Sequence, residues 1–485
     1  MSIYDTLYKV VIVKDDEIEI LDFDEEVIYT KKETVTKEVL IVEKNVDNIV
    51  QNNKKKKRRI GLGSKLFLFI SVLFIIGCFV FYGYRTYYYY HKTHDVVKNI
   101  SLKDKLTSLN NITYQNDGLY EKDGYFYYKG IDVNNYIYYS GRLFRIIDIN
   151  KGIRVIEEDT ETNLIWGVDS DYKDSTIHKW LEKYLNTLKD YDLYLEKNKW
   201  CNEKIDLDNY DCNEYLEEYV GLLSTNDYLQ AGAKNSYLNN ETYFWTINQD
   251  NDGNSLYINN EGNINNLYKK DNNYFSYGIR PVITLKEDLS IISGDGSKHS
   301  PFIIEELGNA LLKDNSIGSF VKYNNEDYRI ISIDETGVSL IYNSILDVDK
   351  KYDDIMKYLN NEFIKTLNKD DLVKVNYDIN EYSFNNKYEL SEKNSKSNYV
   401  TIPSIGDLFL NSIDGYWLNN YSDSKLGLYY IIDENKMFFA DLKNNSHKVR
   451  PIIKLNIETV VSSGLGLEND PLIIGEEGDT DVKEN

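Results

Sequence analysis

The segment IRPVITLKEDLSIISGDGSKHSPFII at residues 279–304 returns, without a gap, as VRPIIKLNIETVVSSGLGLENDPLII at residues 449–474. Four of the five prolines in the chain lie in this match, so chance similarity is a poor explanation. The starts of two longer units also correspond, because LFRIIDI at 143–149 matches DYRIISI at 327–333. Self-similarity over such a distance predicts two tandem domains that share one fold.

Each repeat combines strand and helix patterns. Two apolar runs flank Asn150–Gly152, a turn that suits a short hairpin. Ser175 and Ser224 each precede a short stretch with helical spacing and are plausible N-caps. We therefore predict the α+β class, with an antiparallel sheet in each repeat.

A long uncharged stretch precedes the repeats. LFLFISVLFIIGCFVFYGY at residues 66–84 is long enough to span most of a bilayer, and a basic cluster lies before it. The positive-inside rule then predicts a single-pass type II protein of the cell membrane, with a cytoplasmic N-terminus and an extracellular C-terminal ectodomain. A cleaved signal peptide is the alternative, and the long segment before the apolar stretch argues against it.

These patterns divide the chain into seven predicted segments. They are a small cytoplasmic segment that is β-rich or partly disordered (1–53), a basic juxtamembrane cluster (54–65), a transmembrane helix (66–84), an extracellular stalk (85–117), repeat one (118–306), repeat two (307–478) and a disordered acidic tail (479–485).

Composition excludes several classes of protein. The chain has 56 Lys and Arg against 79 Asp and Glu, a net charge of −23, which argues against nucleic acid as a partner. Three cysteines are too few for a disulfide scaffold or a Cys-rich zinc protein. The five histidines lack metal-ligand spacing, and the chain carries no phosphate-binding glycine loop. We therefore predict no metal, no cofactor and no enzymatic activity.

The order of motifs in repeat one resembles a known family. NNYIYYSGRLFRIIDI, DSTIHKWLEKYLNTL, LLSTNDYL, YFWTIN and GIRPVITL follow one another there. This order resembles an uncharacterised tandem surface-domain family of low-GC Gram-positive bacteria. The resemblance implies a fold distantly like that of C-type lectins and the formylglycine-generating enzyme. It covers residues 118–306 and, more loosely, 315–478, where Tyr358 replaces Trp180.

Five residues are candidates for a site. Trp200 is the best candidate for an exposed aromatic that stacks on a sugar. Arg280 and Arg450 could clamp an anion, although their presence in both repeats also fits a structural role. Cys201 and Cys212 could form a disulfide or remain two free thiols.

The sequence predicts a surface protein whose duplicated ectodomain binds an extracellular ligand without catalysis. The predicted ligand is a glycan, a wall polymer or a surface protein, and residues 66–84 would contact the lipid bilayer. The alternative is a structural or envelope-assembly scaffold, in which residues 1–53 bind a cytoplasmic protein. A third hypothesis, an enzyme of the formylglycine-generating type, would require a reactive thiol pair or a metal site.

Overall fold

The computed structural model describes residues 9–14, 17–22, 101–108, 112–167, 171–205, 212–271, 275–378, 395–413, 415–421, 426–431 and 436–475. The chain divides into two compact units, Met1–Tyr89 and Tyr90–Asn485. In the first unit, β1 (Lys9–Lys14) and β2 (Glu17–Asp22) form an antiparallel pair. The second unit contains both repeats, and the candidate site lies in it.

Among the described residues, the first repeat and the segment just before it form short strands and four short α-helices. In chain order they are α1 (Leu102–Leu106), β3 (Gly118–Lys122), β4 (Tyr125–Lys129), β5 (Tyr136–Tyr139), β6 (Arg142–Ile149), β7 (Ile153–Glu157), β8 (Thr162–Ile165), α2 (Thr176–Leu185), α3 (Tyr191–Tyr194), β9 (Asn198–Cys201), β10 (Lys204–Ile205), β11 (Tyr215–Glu218), β12 (Val220–Leu222), α4 (Thr225–Ala231), β13 (Phe244–Asp250), β14 (Ser255–Ile258), β15 (Ile264–Leu267), β16 (Ser276–Ile279), β17 (Pro281–Leu285) and β18 (Phe302–Ile303).

The second repeat follows the same plan with fewer elements. They are β19 (Phe320–Tyr323), β20 (Glu326–Asp334), β21 (Gly337–Tyr342), β22 (Leu346–Lys350), α5 (Tyr352–Asn361), β23 (Val375–Asp378), β24 (Ser395–Asn398), β25 (Val400–Thr401), β26 (Tyr416–Tyr421), β27 (Leu426–Ile431), β28 (Lys436–Asp441), β29 (His447–Val449), β30 (Ile452–Asn456), β31 (Val461–Ser463) and β32 (Leu472–Ile474).

The strand order shows the duplication directly. The order β12-β17-β7-β6, continued by β5 and β18, matches β25-β30-β21-β20-β19-β32. The order β15-β14-β13-β16-β8 matches β28-β27-β26-β29-β22. The pair β9–β11 likewise matches β23–β24. The hairpin β3–β4, which pairs with the end of β6, belongs to the first repeat alone among the described strands.

The predicted α+β class is wrong. The described part of the chain is mainly β-structure, and its longest helices, α2 and α5, have ten residues each. The sheets are also mixed rather than purely antiparallel, because β18 pairs with β5, and β32 with β19, in parallel. Helices of two or three turns cover sheet faces here and do not form a layer of their own.

The predicted transmembrane helix also requires correction. Within the described ranges, no helix has the length and apolar character needed to cross a membrane. Residues 66–84, on which the prediction rested, lie outside the described residues. We therefore withdraw the single transmembrane helix, the single-pass type II topology and the cell-membrane localisation. The segments predicted for residues 23–100 and the acidic tail likewise lie outside the described part.

Several local predictions are confirmed. Asn150–Gly152 joins β6 and β7 in a hairpin, and the Asn150 N–H donates to the Gly152 carbonyl at 2.9 Å. Ser175 caps α2 through the His178 N–H. Ser224 caps α4 in a reciprocal box with Asp227, because each side chain accepts from the other residue's backbone N–H.

Two apolar clusters form the core of the described repeats, and the larger one includes residues of both. Trp245 and Trp417, at equivalent strand positions, are fully buried, and each indole N–H donates to a carbonyl of the adjacent edge region. Phe409 and Tyr416 of the second repeat pack into the same cluster as the first-repeat core. The repeats therefore share buried surface, and we expect them to unfold together.

We expect Gly221→Ala to lower the free energy of unfolding by about 1–3 kcal/mol, as overpacking of a filled core does. A Cβ at position 221 would lie 2.3 Å from the Trp200 ring. Urea unfolding followed by circular dichroism measures the change. The matched control is Thr401→Ala at the equivalent strand position, which already carries a Cβ, and it should change stability by less than about 1 kcal/mol. Equal effects of the two variants would contradict this packing.

Candidate functional site

Trp200 does not present an exposed aromatic surface. Its side chain is 3 % exposed and packs over Gly221, and its indole N–H donates to the Glu218 carbonyl at 2.9 Å. The prediction of an exposed sugar-stacking ring is therefore wrong. The sequence around Trp200 is polar. In the structure, β9 pairs with β11, and the Trp200 ring packs against Gly221 in the main sheet.

Arg280 and Arg450 are also buried, and they hold loops in place. The Arg280 guanidinium donates to the carbonyls of Glu157 (3.0 Å) and Leu238 (2.6 Å). The Arg450 guanidinium donates to the carbonyls of Tyr342 and Phe409, both at 2.8 Å. Neither side chain is more than 1 % exposed, which fits the structural alternative. The anion clamp stays a prediction, and one buried Arg280 nitrogen has no hydrogen-bond partner among the described residues.

The structure joins Cys201 and Cys212 in a disulfide. The bond links the end of β9 to the chain just before β11, and these two strands pair with each other. Closing a loop of this length restricts the unfolded chain and stabilises the hairpin. Among the described residues, no group of three or more His, Cys, Asp and Glu side chains could hold a metal ion.

A candidate site is a cavity of about 660 Å³ lined by residues of both repeats, which we call the junction cleft. Its size is within the usual range for small-ligand pockets. The mouth carries exposed side chains from equivalent turns of both repeats, Lys298 and His299 in the first and Glu468 and Asn469 in the second. Polar side chains complete the wall: Glu158, Asp159, Thr160, Asn240, Thr242 and Asn411.

A buried ion pair forms the floor of the junction cleft. The Arg142 Nε lies 2.6 Å from a Glu161 oxygen, and both side chains are excluded from solvent. Arg142 also donates to the carbonyls of Ser140 (2.9 Å) and Ile317 (3.0 Å), which belong to different repeats. The second Glu161 oxygen accepts the Phe409 N–H at 2.9 Å. One ion pair thus ties both repeats together through charge-assisted hydrogen bonds.

Two carboxyl groups share this floor and differ in pKa. Burial and the nearby Glu161 charge raise the pKa of Glu157 well above its usual range. Burial acts in the same direction on Glu161, but the Arg142 guanidinium outweighs it and lowers the Glu161 pKa. The Tyr184 hydroxyl donates to Glu157 at 3.0 Å.

Arg329 lines the opposite wall of the junction cleft. Its guanidinium lies 3.6 Å from the ring centroid of Phe409 and 4.5 Å from that of Phe320. It donates to the carbonyls of Gly318 and Gly141, each at 3.0 Å, and so bridges the repeats. Gly141 has φ +72°, and a Cβ there would lie 2.5 Å from the Ile317 carbonyl oxygen. The close approach of the two backbones therefore requires glycine.

Sequence reasoning did not identify the junction cleft. The repeated turns from Gly294 to Pro301 and from Gly464 to Pro471 were visible as part of the duplication, and both reach the mouth. The presence of an equivalent turn in each repeat was the sequence signal that could have located the cleft. Arg142, however, has no arginine counterpart in repeat two, so a comparison of the two repeats does not identify it as a site residue.

Comparisons with protein-family models, with curated proteins and with solved structures found no match. The predicted likeness to a tandem surface-domain family therefore remains a prediction. The junction cleft has to be interpreted from its own chemistry.

Glu305 also stabilises the repeat junction, and its state depends on pH. Its carboxyl accepts the Ser140 N–H at 2.5 Å and the Ser316 hydroxyl at 3.4 Å, from different repeats. Burial raises the pKa of Glu305 to about 7, although the hydrogen bond from Ser140 acts in the opposite direction. The folded state therefore holds this proton more tightly than the unfolded state does, and stability is lost as pH rises from about 4.5 through 7.

The free energy of unfolding of the wild type should fall between pH 4.5 and 8. We expect this fall to be smaller by roughly 3 kcal/mol in Glu305→Gln. The amide keeps the shape of the side chain but carries no titrating proton. Urea unfolding at several pH values measures the slope. The control is Glu458→Gln at an exposed position, which should leave the slope as in the wild type. A wild-type slope in Glu305→Gln would show that this carboxyl is not the cause.

We expect Arg142→Met to lower the free energy of unfolding by about 3–5 kcal/mol, because Glu161 would remain buried without its cation. The matched control is Lys313→Met, which breaks the exposed pair of Lys313 with Glu458 and should cost at most about 1 kcal/mol. Differential scanning calorimetry of both variants makes the comparison. A loss below about 1 kcal/mol for Arg142→Met would contradict the central role of the pair.

Proposed function

We propose that this chain is a non-catalytic binding protein whose junction cleft takes a polar, largely uncharged ligand of the saccharide type. The observation that carries the proposal is the cleft itself, a cavity of about 660 Å³ between the repeats whose mouth carries side chains from both. A ligand held there would contact two copies of the same turn, which explains a use for the duplication.

The lining favours hydroxyl groups over a strongly charged ligand. Amide side chains of Asn240, Asn411 and Asn469 can both donate and accept, as sugar hydroxyls require. Acidic and basic groups occur together at the mouth, since Glu468 faces a cleft that also holds Lys298. Mixed signs weaken the attraction for either a polyanion or a polycation.

Binding is favoured over catalysis because the buried carboxyl groups are already engaged. Glu161 is paired with Arg142 and accepts a backbone N–H, and Glu157 accepts the Tyr184 hydroxyl. A general acid or base needs a free path to the reacting atom of a substrate. The predicted lectin-like resemblance points toward the same class of ligand and is consistent with this proposal.

A glycan panel tests the proposal directly. Full-length protein is screened for saturable binding, and hits are measured by isothermal titration calorimetry. We expect the double variant Lys298→Ala/Asn469→Ala, which changes one exposed mouth residue in each repeat, to bind at least about tenfold more weakly. Each contact is exposed, so stability should not change.

The matched control is Lys151→Ala/Asn445→Ala, which removes the same two side-chain types at exposed positions outside the cleft. Its affinity should equal that of the wild type. Absence of any saturable saccharide binding would overturn the proposal, and so would equal loss of affinity in both double variants. Release of new reducing ends from a bound glycan would show that the protein is an enzyme instead.

A further inference from the structure

A second cavity, of about 500 Å³, lies on the sheet of the second repeat, and we call it the repeat-two pocket. It forms where the two repeats differ. In the first repeat, β4 pairs with Ile149 and Asp148 at the end of β6. The equivalent residues of β20, Ser332 and Ile333, pair with β21 alone among the described strands.

The first repeat shows what occupies the equivalent space. A row of paired positions crosses its sheet through Asp148, Arg154 and Thr284. The Arg154 guanidinium donates to Asp148 at 2.7 Å and to the two Asp227 oxygens at 2.7 and 3.1 Å. A planar guanidinium is thus held by carboxylates with the bidentate geometry that arginine favours.

The second repeat lacks the guanidinium but keeps the carboxylate. The equivalent row is Ser332, Ser339 and Lys454, so a serine stands where the first repeat has arginine. Asp407 matches Asp227 and likewise accepts the N–H of the serine three residues before it, at 2.8 Å. Within the described residues, no Lys, Arg or His forms an ion pair with Asp407. Lys454 lines the pocket, but Asp334 and the Thr336 hydroxyl (2.6 Å) already bind it.

Two further observations indicate a missing ligand. The Thr401 hydroxyl lines the pocket, is buried, and finds no hydrogen-bond partner among the described residues. Burial raises the pKa of Asp407 to about 6, although the hydrogen bond from the Ser404 N–H acts in the opposite direction. At Asp227, Arg154 overcomes the effect of burial and holds the pKa below its usual value. The unpaired Thr401 hydroxyl and the raised pKa of Asp407 are both expected when a cationic hydrogen-bond donor is absent.

We propose that the repeat-two pocket binds a guanidinium group, which takes the place that Arg154 fills in the first repeat. Asp407 is the charged partner, and the hydroxyl groups of Thr401 and Ser339 accept further N–H groups. A guanidinium has five donors and no acceptor, which fits a lining of carboxylate and hydroxyl oxygens. The group could come from a free arginine-type compound or from an arginine in an extended polypeptide laid along β20.

The test is calorimetric titration of the full chain with L-arginine, and in a second arm with a short β-forming peptide that contains one arginine. L-citrulline, and the same peptide with citrulline, are the uncharged controls of matched shape. We expect saturable binding of the arginine compounds and at least about tenfold weaker binding of their citrulline counterparts. Binding of the peptide alone would assign the source to a polypeptide, and binding of free arginine would assign it to a small molecule.

Variants connect the binding to the pocket. Asp407→Asn should weaken arginine binding at least about tenfold, whereas Asp353→Asn at an exposed position should not. Ser339→Arg should abolish binding, because the new guanidinium would fill the pocket as that of Arg154 fills the equivalent space in the first repeat. This variant should also raise the midpoint of thermal unfolding. If Ser339→Arg does not fold, the double variant Ser332→Asp/Ser339→Arg restores the full first-repeat set. Equal affinity for arginine and citrulline, or no effect of Asp407→Asn, would overturn the proposal.

Discussion

The ion pair between Arg142 and Glu161 is the interaction on which the junction of the two repeats depends. Removing two charges from water is costly, and it is offset here because both groups have further partners. Arg142 reaches carbonyls of both repeats, and Glu161 accepts the backbone N–H of Phe409. The junction cleft lies above this pair, so its floor is rigid and its mouth is left to exposed turns. A site of this kind can change its ligand without loss of the fold, because the mouth residues contribute little to stability.

A local difference between the two repeats accounts for the second cavity. Both repeats have the same sheet order and a serine N–H that donates to the aspartate three residues later, so this part of the framework is the same. The β3–β4 hairpin and Arg154 are present in the first repeat, and their counterparts are missing from the described part of the second. The second repeat has a pocket that contains the carboxylate of Asp407 without the arginine that pairs with Asp227 in the first repeat. The same framework thus holds a buried ion pair in one copy and a cavity in the other.

Sequence reasoning predicted what depends on local pattern. The hairpin at Asn150–Gly152 and the caps Ser175 and Ser224 follow from turn and capping chemistry within a few residues. It failed where exposure decides the role of a side chain. Trp200 lies in a polar stretch and yet is covered by long-range strand pairing. Arg280 and Arg450 are directed inward to loop carbonyls, which fits the structural alternative. The balance of strand over helix was also missed, because short stretches with helical spacing favoured the α+β class.

The sequence by itself determined that this protein is a duplicated domain, because the match of residues 279–304 with 449–474 is a property of the letters alone. It also indicated that the two copies share one fold, whereas their common strand order was seen only in the structure. Only the tertiary structure decided where the sites are, since the junction cleft and the repeat-two pocket are formed by residues far apart in the chain. The physical reason is that burial, charge compensation and cavity volume depend on which distant groups pack together. A local pattern of residues does not specify which distant groups pack together.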